Sequence, residues 1–512
     1  MTRKNKLTKL IFSYKTLGAI FVLAQLVFFA ASAIWLQDYS RYLYGASTIA
    51  AVSVIIYELN REVNNSFKIS WLILIAVLPV MGILLCFFIH FSSFPRATKR
   101  RIKAVECRTE KYLKQDISTL NEIKQNESDL SAISHYLYKT TGFPTYKNSF
   151  VKYFSVGEEF YDELIAQLQS ARKFIFMEFF IIADGEFWDT VLDILKKKAE
   201  EGVDVRIMFD GMGCLPQFNR SYPDYLGHYG IKCRIFAPVM PFLSSYQNNR
   251  DHRKIVVVDG KCAFTGGINI ADEYINKIKR FGHWKDNAIM LKGEAVSGFT
   301  AMFLQMWDLI PKEKENFDVF FATPVSSSEN CGYVIPYCDN PVDNETVGRN
   351  VYLSIINSAV KYVHIMTPYL ILDNEVLDSL KFAARRGVDV KILMPGIPDK
   401  WYAFILAKTF YPELIRAGVK IYEYTPGFIH AKTMVSDDKK AVVGTINQDY
   451  RSMYLHYECA AYLYKVPQIK DISSDFEETL KKSTKMFMEN YKELSLFTRA
   501  AGRLLRIFAP LM

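Results

Sequence analysis

One α/β pattern occurs twice along the chain, and this duplication limits the possible folds more than any other feature. Gly202-Val-Asp-Val-Arg-Ile-Met-Phe-Asp-Gly211 recurs as Gly387-Val-Asp-Val-Lys-Ile-Leu-Met-Pro-Gly396. Gly230-Ile-Lys232 recurs as Gly418-Val-Lys420, and Ala171-Arg-Lys-Phe174 as Ala359-Val-Lys-Tyr362. The offsets of 185 to 188 residues are too long for a solenoid and predict two copies of one domain side by side. In the first copy, residues 173–182 read as a buried strand, 188–198 as an amphipathic helix and 203–209 as the next strand. That alternation predicts an α/β fold with βαβ units and mixed, largely parallel sheets.

A further shared block carries the chemistry. His252-Arg-Lys254, Asp259 and Gly266-Gly-Ile-Asn269 align without a gap on His430-Ala-Lys432, Asp437 and Gly444-Thr-Ile-Asn447, at a constant offset of 178 residues. The chain has eight histidines, so one His-x-Lys-x4-Asp arises by chance in roughly a few per cent of such sequences. Two copies, each followed by Gly-x-x-Asn at the same distance, are far beyond chance. His and Lys two residues apart on a strand face the same way, so an imidazole and an ammonium can meet one phosphate. Asp259 and Asp437 fall in a turn beyond the strand, from which each is expected to orient a histidine of either copy. A lone histidine is ordinarily a core residue, and His90, His135, His228 and His364 are read that way.

The net charge of +9 is unevenly placed. Residues 1–105 hold thirteen Lys/Arg and three Asp/Glu, leaving 50 bases and 51 acids for the other residues. A nucleic-acid enzyme would put its basic surplus on the catalytic part, whereas here it flanks apolar runs. Residues 17–36 and 71–91 carry no charge, and 43–57 form a shorter run. About 20 apolar residues cross a bilayer, so residues 1–105 are expected to anchor the chain in the cell membrane through two or three transmembrane helices (about 17–36, 41–58 and 70–91). Basic residues precede the first run and follow the third. Three full crossings cannot place both flanks in the cytoplasm, and Pro79-Val-Met-Gly82 fits a kinked or re-entrant third segment. The eight cysteines form no CxxC and no zinc-ligand spacing with His, and Cys331 and Cys338 are expected to be reduced.

The two His-x-Lys motifs resemble the paired HKD motifs of the phospholipase D superfamily, and within it the bacterial cardiolipin synthases. Lys68-Ile-Ser-Trp71 with Pro79-Val-Met-Gly82 resembles that family's membrane segment. Asn248-Asn-Arg-Asp-His252-Arg-Lys254 resembles its first motif, His283-Trp-Lys-Asp286 the acid that follows, and Gly444-Thr-Ile-Asn-Gln-Asp-Tyr-Arg-Ser452, ending near Glu458, its second. Residues 504–512 resemble its C-terminus. Thr445 stands where Ser is usual and His456 where Asn is common, which leaves acceptor preference open.

The resemblance implies two tandem phospholipase D-like domains, about 106–330 and 331–490, and a C-terminal basic amphipathic helix over 491–512. It also implies transfer of a phosphatidyl group from one phosphatidylglycerol to another, giving cardiolipin and glycerol. One histidine attacks phosphorus, forming a phosphatidyl-histidine, and the other protonates the leaving alkoxide. By analogy His252 is the nucleophile and His430 the acid. Ordinary histidine pKa values near ~6.5 would suit both roles. Lys254 and Lys432 neutralise the phosphate oxygens, so no metal and no cofactor are expected. Asn269 and Asn447 are expected to donate hydrogen bonds to the same oxygens, or to serve as turn residues. Asp286 and Glu458 join them as substrate-binding residues. Partners are phosphatidylglycerol and anionic membrane lipids, not nucleic acid, with the catalytic domains facing the cytoplasm. The Phe/Tyr/Pro-rich residues 212–249 are expected to touch acyl chains or to form an ordinary loop. A phospholipase D-type hydrolase, or a synthase with another phospholipid donor, would use the same histidines. The CDP-alcohol phosphotransferases need an Asp-rich metal motif that Asp210-Gly-Met-Gly does not supply.

Overall fold

The computed structural model describes residues 20–511 except 21, 29, 31–38, 92–95, 215–217, 219, 239–247, 311–314, 322–331 and 344. The chain forms two compact units, the larger made of residues 96–238 and 250–502.

The larger unit contains both repeats, and their sheets share one strand order. The strands of the first repeat are β1 (Ser149–Phe154), β2 (Phe174–Phe179), β3 (Asp204–Asp210), β4 (Lys232–Phe236), β5 (Ile255–Val258), β6 (Cys262–Gly266), β7 (His283–Lys285) and β8 (Ala288–Gly293). Those of the second are β9 (Tyr333–Asp339), β10 (Tyr362–Met366), β11 (Asp389–Pro395), β12 (Lys420–Tyr424), β13 (Gly427–Ile429), β14 (Thr433–Ser436), β15 (Lys440–Gly444), β16 (Glu458–Tyr464) and β17 (Ser483–Met486). The first sheet runs β1-β8-β6-β5-β2-β3-β4. The second runs β9-β16-β15-β14-β10-β11-β12, with β17 added at its edge.

The sheets are mixed, but they are not largely parallel as expected. Only β2–β3–β4 and β10–β11–β12 pair in parallel, while the rest of each sheet is antiparallel. One antiparallel pair in each sheet follows from the Asp259-Gly260 and Asp437-Asp438 turns, which fold each motif strand back on its successor.

The crossovers follow from sequence. Helix Glu186–Glu200 buries Phe187, Trp188, Val191, Leu192 and Leu195, a one-sided stripe at helical spacing. Glu186 and Asp189 sit in its first turn and Lys197 and Lys198 in its last, matching the helix dipole. Helix Asn374–Arg385 is capped by the Asp373 carboxylate accepting from Val376 N–H. Gly202 and Gly387 then turn the chain at φ +86° and +96°, the left-handed region that favours glycine. Residues 108–134 are divided among helices Arg96–Glu110, Ile117–Asn126 and Ser128–Thr141.

Asp259 and Asp437 lie in their turns as expected, at φ 55° and 54°, but neither reaches a histidine. Asp259 accepts the backbone N–H groups of Arg172, Lys173 and Phe174 at 2.9, 2.7 and 3.0 Å. Asp437 does the same for Val360, Lys361 and Tyr362 at 2.7, 2.8 and 2.9 Å. Each carboxylate therefore anchors the entry to the neighbouring strand at the end of the motif strand remote from its histidine. Asp259→Ala should lower stability by about 1–3 kcal/mol, the cost of stranding buried donors, with kcat of the folded enzyme unchanged. A depressed melting temperature beside unchanged kcat is the expected pair of measurements.

The smaller unit corrects the expected membrane segments. No described helix is long and apolar enough to cross a membrane. The run 71–91 is broken at Leu78 into helices Asn65–Val77 and Pro79–Phe91, of 13 residues each. Each is about 20 Å long at 1.5 Å per residue, short of a hydrocarbon core of about 30 Å. The second folds back on the first, since a Cβ on Gly82 would lie 2.8 Å from the Ile75 Cα. Helix Ser40–Leu59 has 20 residues but is diluted by Arg41, Ser47, Thr48, Ser53 and Glu58. Residues 17–36 lie largely outside the described residues, as does much of 212–249. At the C-terminus, residues 491–512 give helix Leu496–Phe508 and a short 3-10 turn. Gly502 packs on Thr409 and Ile405, while Leu496, Phe497 and Leu504 remain exposed.

Candidate active site

His252 and Lys254 stand in the extended lead-in to β5, and His430 and Lys432 in the lead-in to β14, rather than within the strands. Each lead-in is held by the other repeat. His252 N–H donates to the Tyr457 carbonyl at 3.0 Å, and His430 N–H to the Lys285 carbonyl at 2.7 Å. Strands β7 and β13, one from each repeat, pair in parallel beside the second motif.

The same exchange orients the rings. His252 Nδ1 donates to Glu458 Oε1 at 2.9 Å, and His430 Nδ1 donates to Asp286 Oδ2 at 2.7 Å. Both carboxyls are held below their ordinary range. Burial pushes each up, and its neighbours together bring it down: His252 and His456 beside Glu458, and His430, Lys432 and the Asn287 N–H beside Asp286. An ionised carboxylate only accepts, so the proton sits on each Nδ1 and the Nε2 lone pair is left for chemistry. Asp286 and Glu458 are thus positioning residues for the histidines, not the substrate contacts expected of them. Thr445 Oγ1 donates to the second Glu458 oxygen. Position 267 is the matching place in the first repeat, and there any side chain would collide with Asp286, whose Oδ1 would lie 2.0 Å from the added Cβ. Glycine leaves the carboxylate room.

The six polar groups form one electrostatic cluster. Lys254 feels both Glu458 and Asp286, and its charge lowers the proton affinity of His430 and Lys432. Burial, the largest cause throughout, pulls His252 down to about 3, His430 to about 4, Lys254 to about 8 and Lys432 to about 7. The histidines are therefore not ordinary ones near 6.5; both are neutral in the free protein at pH 7. Each lysine is turned back onto the carbonyl of its own histidine: Lys254 Nζ donates to His252 O at 2.6 Å, and Lys432 Nζ to His430 O.

Asn269 does not stand free for a phosphate. Its oxygen accepts from Ile181 N–H at 3.0 Å and its amide donates to the Tyr274 hydroxyl at 2.7 Å. It fastens a loop, the turn role that was the alternative. The Asn447 side-chain oxygen is buried without a hydrogen-bond partner among the described residues. Sequence reasoning missed the aromatic walls. Phe180 meets the His252 ring edge-on at 5.1 Å, and Tyr274 and Trp284 lie 5.3 and 5.5 Å from the His430 ring. Trp284, inside His283-Trp-Lys-Asp286, was the one with a local signal. His456 lies 5.5 Å from the His252 ring centre.

The family model for the cardiolipin synthase, PLD-like domain matches residues 164–307 and 352–480, one segment in each repeat. The cardiolipin synthase of Alkalihalophilus pseudofirmus is 33% identical over 472 residues, 91% of this chain and 92% of its own. The chain belongs to the cardiolipin synthase family. Another relative, an uncharacterized protein of Streptococcus mutans, is 47% identical over 461 residues, 90% of this chain and all of its own. Among solved structures, the phosphatidylserine synthase of Haemophilus influenzae is similar with a TM-score of 0.54 at 15% identity, covering 70% of this chain and 93% of that one. It supports the fold alone. At the centre of this chain lie two imidazoles held through Nδ1, two buried lysines, and two carboxylates exchanged between the repeats.

Proposed function

We propose that the protein is a phosphatidyltransferase joining two phosphatidylglycerols into cardiolipin, with release of glycerol, through a phosphatidyl-histidine. The observation that supports this most is the pair of Nδ1-anchored histidines, each with its Nε2 left for reaction. His252 Nε2 attacks phosphorus and the P–O bond to glycerol breaks. Lys254 and Lys432 balance charge on the non-bridging oxygens. The phosphodiester anion raises the proton affinity of His430, which then protonates the leaving alkoxide, its positive charge supported by Asp286. In the second half His430 takes the proton of the incoming alcohol as that alcohol displaces His252. Phosphatidylglycerol labelled in its acyl chains, mixed with enzyme and quenched in acid-avoiding denaturant, should leave label on the peptide holding His252. Label on His430 would reverse the roles, and label on neither would remove the covalent step.

The same cluster has a pH signature. Lys432 and Lys254 are charged only below about 7 and about 8, so anion binding weakens as pH rises through that window. Glycerophosphoglycerol, a diester of constant charge there, should bind more weakly at pH 9 than at pH 6. Lys432→Arg, which stays charged, should carry binding to higher pH. A flat profile in the wild type would count against the lysines.

For location we propose the cytoplasmic face of the cell membrane. The smaller unit leaves Ile49 70%, Val77 67% and Phe87 59% exposed, apolar surface suited to the lipid interface. Lys99, Arg100, Arg101 and Lys103, in helix Arg96–Glu110, suit anionic headgroups.

A further inference from the structure

We propose that His252, His456 and Glu458 form a binding site for one transition-metal dication of the zinc class, and that its occupation silences His252. The silencing rests on His252 being the nucleophile proposed above; the binding does not. Among the described residues this is the one group of three metal-ligating side chains whose donor atoms all lie within 4.8 Å of one another. All three are buried. His252 Nδ1 is 2.9 Å and His456 Nδ1 3.6 Å from the same oxygen, Glu458 Oε1. Tetrahedral zinc with bonds of about 2.0–2.1 Å places its ligands about 3.3 Å apart, a spacing that the two separations from Glu458 Oε1 bracket, and the rings would close on the ion from separations within 4.8 Å. The fourth position is left for water.

Two further observations point to a ligand. Neither ring nitrogen of His456 has a hydrogen-bond partner among the described residues, although buried polar groups are ordinarily satisfied. The mechanism gives His456 no task. In addition, Thr445 Oγ1 donates to Glu458 Oε2, holding a carboxylate whose two oxygens both face His252 Nδ1, at 2.9 and 3.0 Å. Such outer-shell bonds are what orient metal-binding carboxylates.

The consequence follows from tautomers. In the free protein the His252 proton is on Nδ1 and the Nε2 lone pair faces reaction. A dication on Nδ1 uses the lone pair there, and the displaced proton moves to Nε2. No proton is released, but the lone pair that attacks phosphorus is now an N–H.

The test uses the full-length chain in detergent, stripped with chelator, with Co2+ as the spectroscopic probe and Zn2+ as its competitor. One Co2+ per chain should give the strong visible bands of a four-coordinate site, and one Zn2+ should remove them. His456→Asn and His456→Ala, checked for native circular dichroism and each scaled to its own metal-free rate, should bind at least about tenfold more weakly. They should also need correspondingly more buffered Zn2+ for inhibition, and chelator should restore the wild type. Absence of saturable one-per-chain binding, or undiminished binding in both variants, would overturn the site. Binding lost in the variants with zinc inhibition unchanged would overturn the silencing. Binding as described in a protein that forms no phosphatidyl-histidine would count against the proposed chemistry and leave the metal site standing.

Discussion

Alanine at His252 or at His430 is expected to lower cardiolipin formation from phosphatidylglycerol by on the order of 10⁴-fold or more, since each removes a group that acts as part of a unit. The two losses should be of similar size and should not add, because either half-reaction needs both rings. The chain should remain folded. Both rings sit at the mouth of strand lead-ins held by main-chain bonds to Tyr457 and Lys285, and those bonds do not involve the imidazoles. Release of labelled glycerol, measured beside cardiolipin, separates transfer from hydrolysis. Phosphatidic acid appearing without cardiolipin in the wild type would mean that water, not a second lipid, is the acceptor. Activity surviving either substitution would remove the paired-histidine mechanism.

Glu458→Gln and Asp286→Asn are expected to cost about 10²–10⁴-fold in kcat, the range seen when the group that fixes a catalytic imidazole is neutralised. The amide is nearly the same shape, so packing and substrate binding are retained and KM should move little. What changes is the proton. A carboxylate can only accept, so it pins the hydrogen to Nδ1; an amide can also donate to Nδ1, which sends the hydrogen to Nε2 and blocks attack. At Asp286 the loss is the negative charge that supports a protonated His430. Rates at saturating lipid in mixed micelles test both, and wild-type kcat in Glu458→Gln would show that His252 holds its tautomer without help.

Much of this was legible because the chain states it twice. The His and Lys positions, the βαβ units and the turn at Asp259 and Asp437 all came from the repeat. Duplicated spacing signals shared geometry, however, and not shared chemistry. The aspartates recur because each copy must close the same turn and catch the same three N–H groups, and spacing alone could not tell that from a catalytic role. The true partners of the histidines lie 206 and 144 residues away in the other copy, a distance no local motif spans. The depressed proton affinities were equally hidden, since they arise from burial, which belongs to the packed protein. In the N-terminal segment the absence of charge over 71–91 marked one run, while Pro79 and Gly82 inside it marked the kink, which falls at Leu78 between two helices of 13 residues.

The exchange of carboxylates has a consequence for how the two halves can change. Each half is custodian of the other's histidine, so neither is an enzyme in its own right. A half with this arrangement can work only beside a second one, and a chain that carries both makes that pairing permanent. Thereafter a substitution near Glu458 is felt at the first histidine and one near Asp286 at the second. The halves are free to diverge in their loops and in the surfaces they present to lipid, yet their inheritance at the centre is joint.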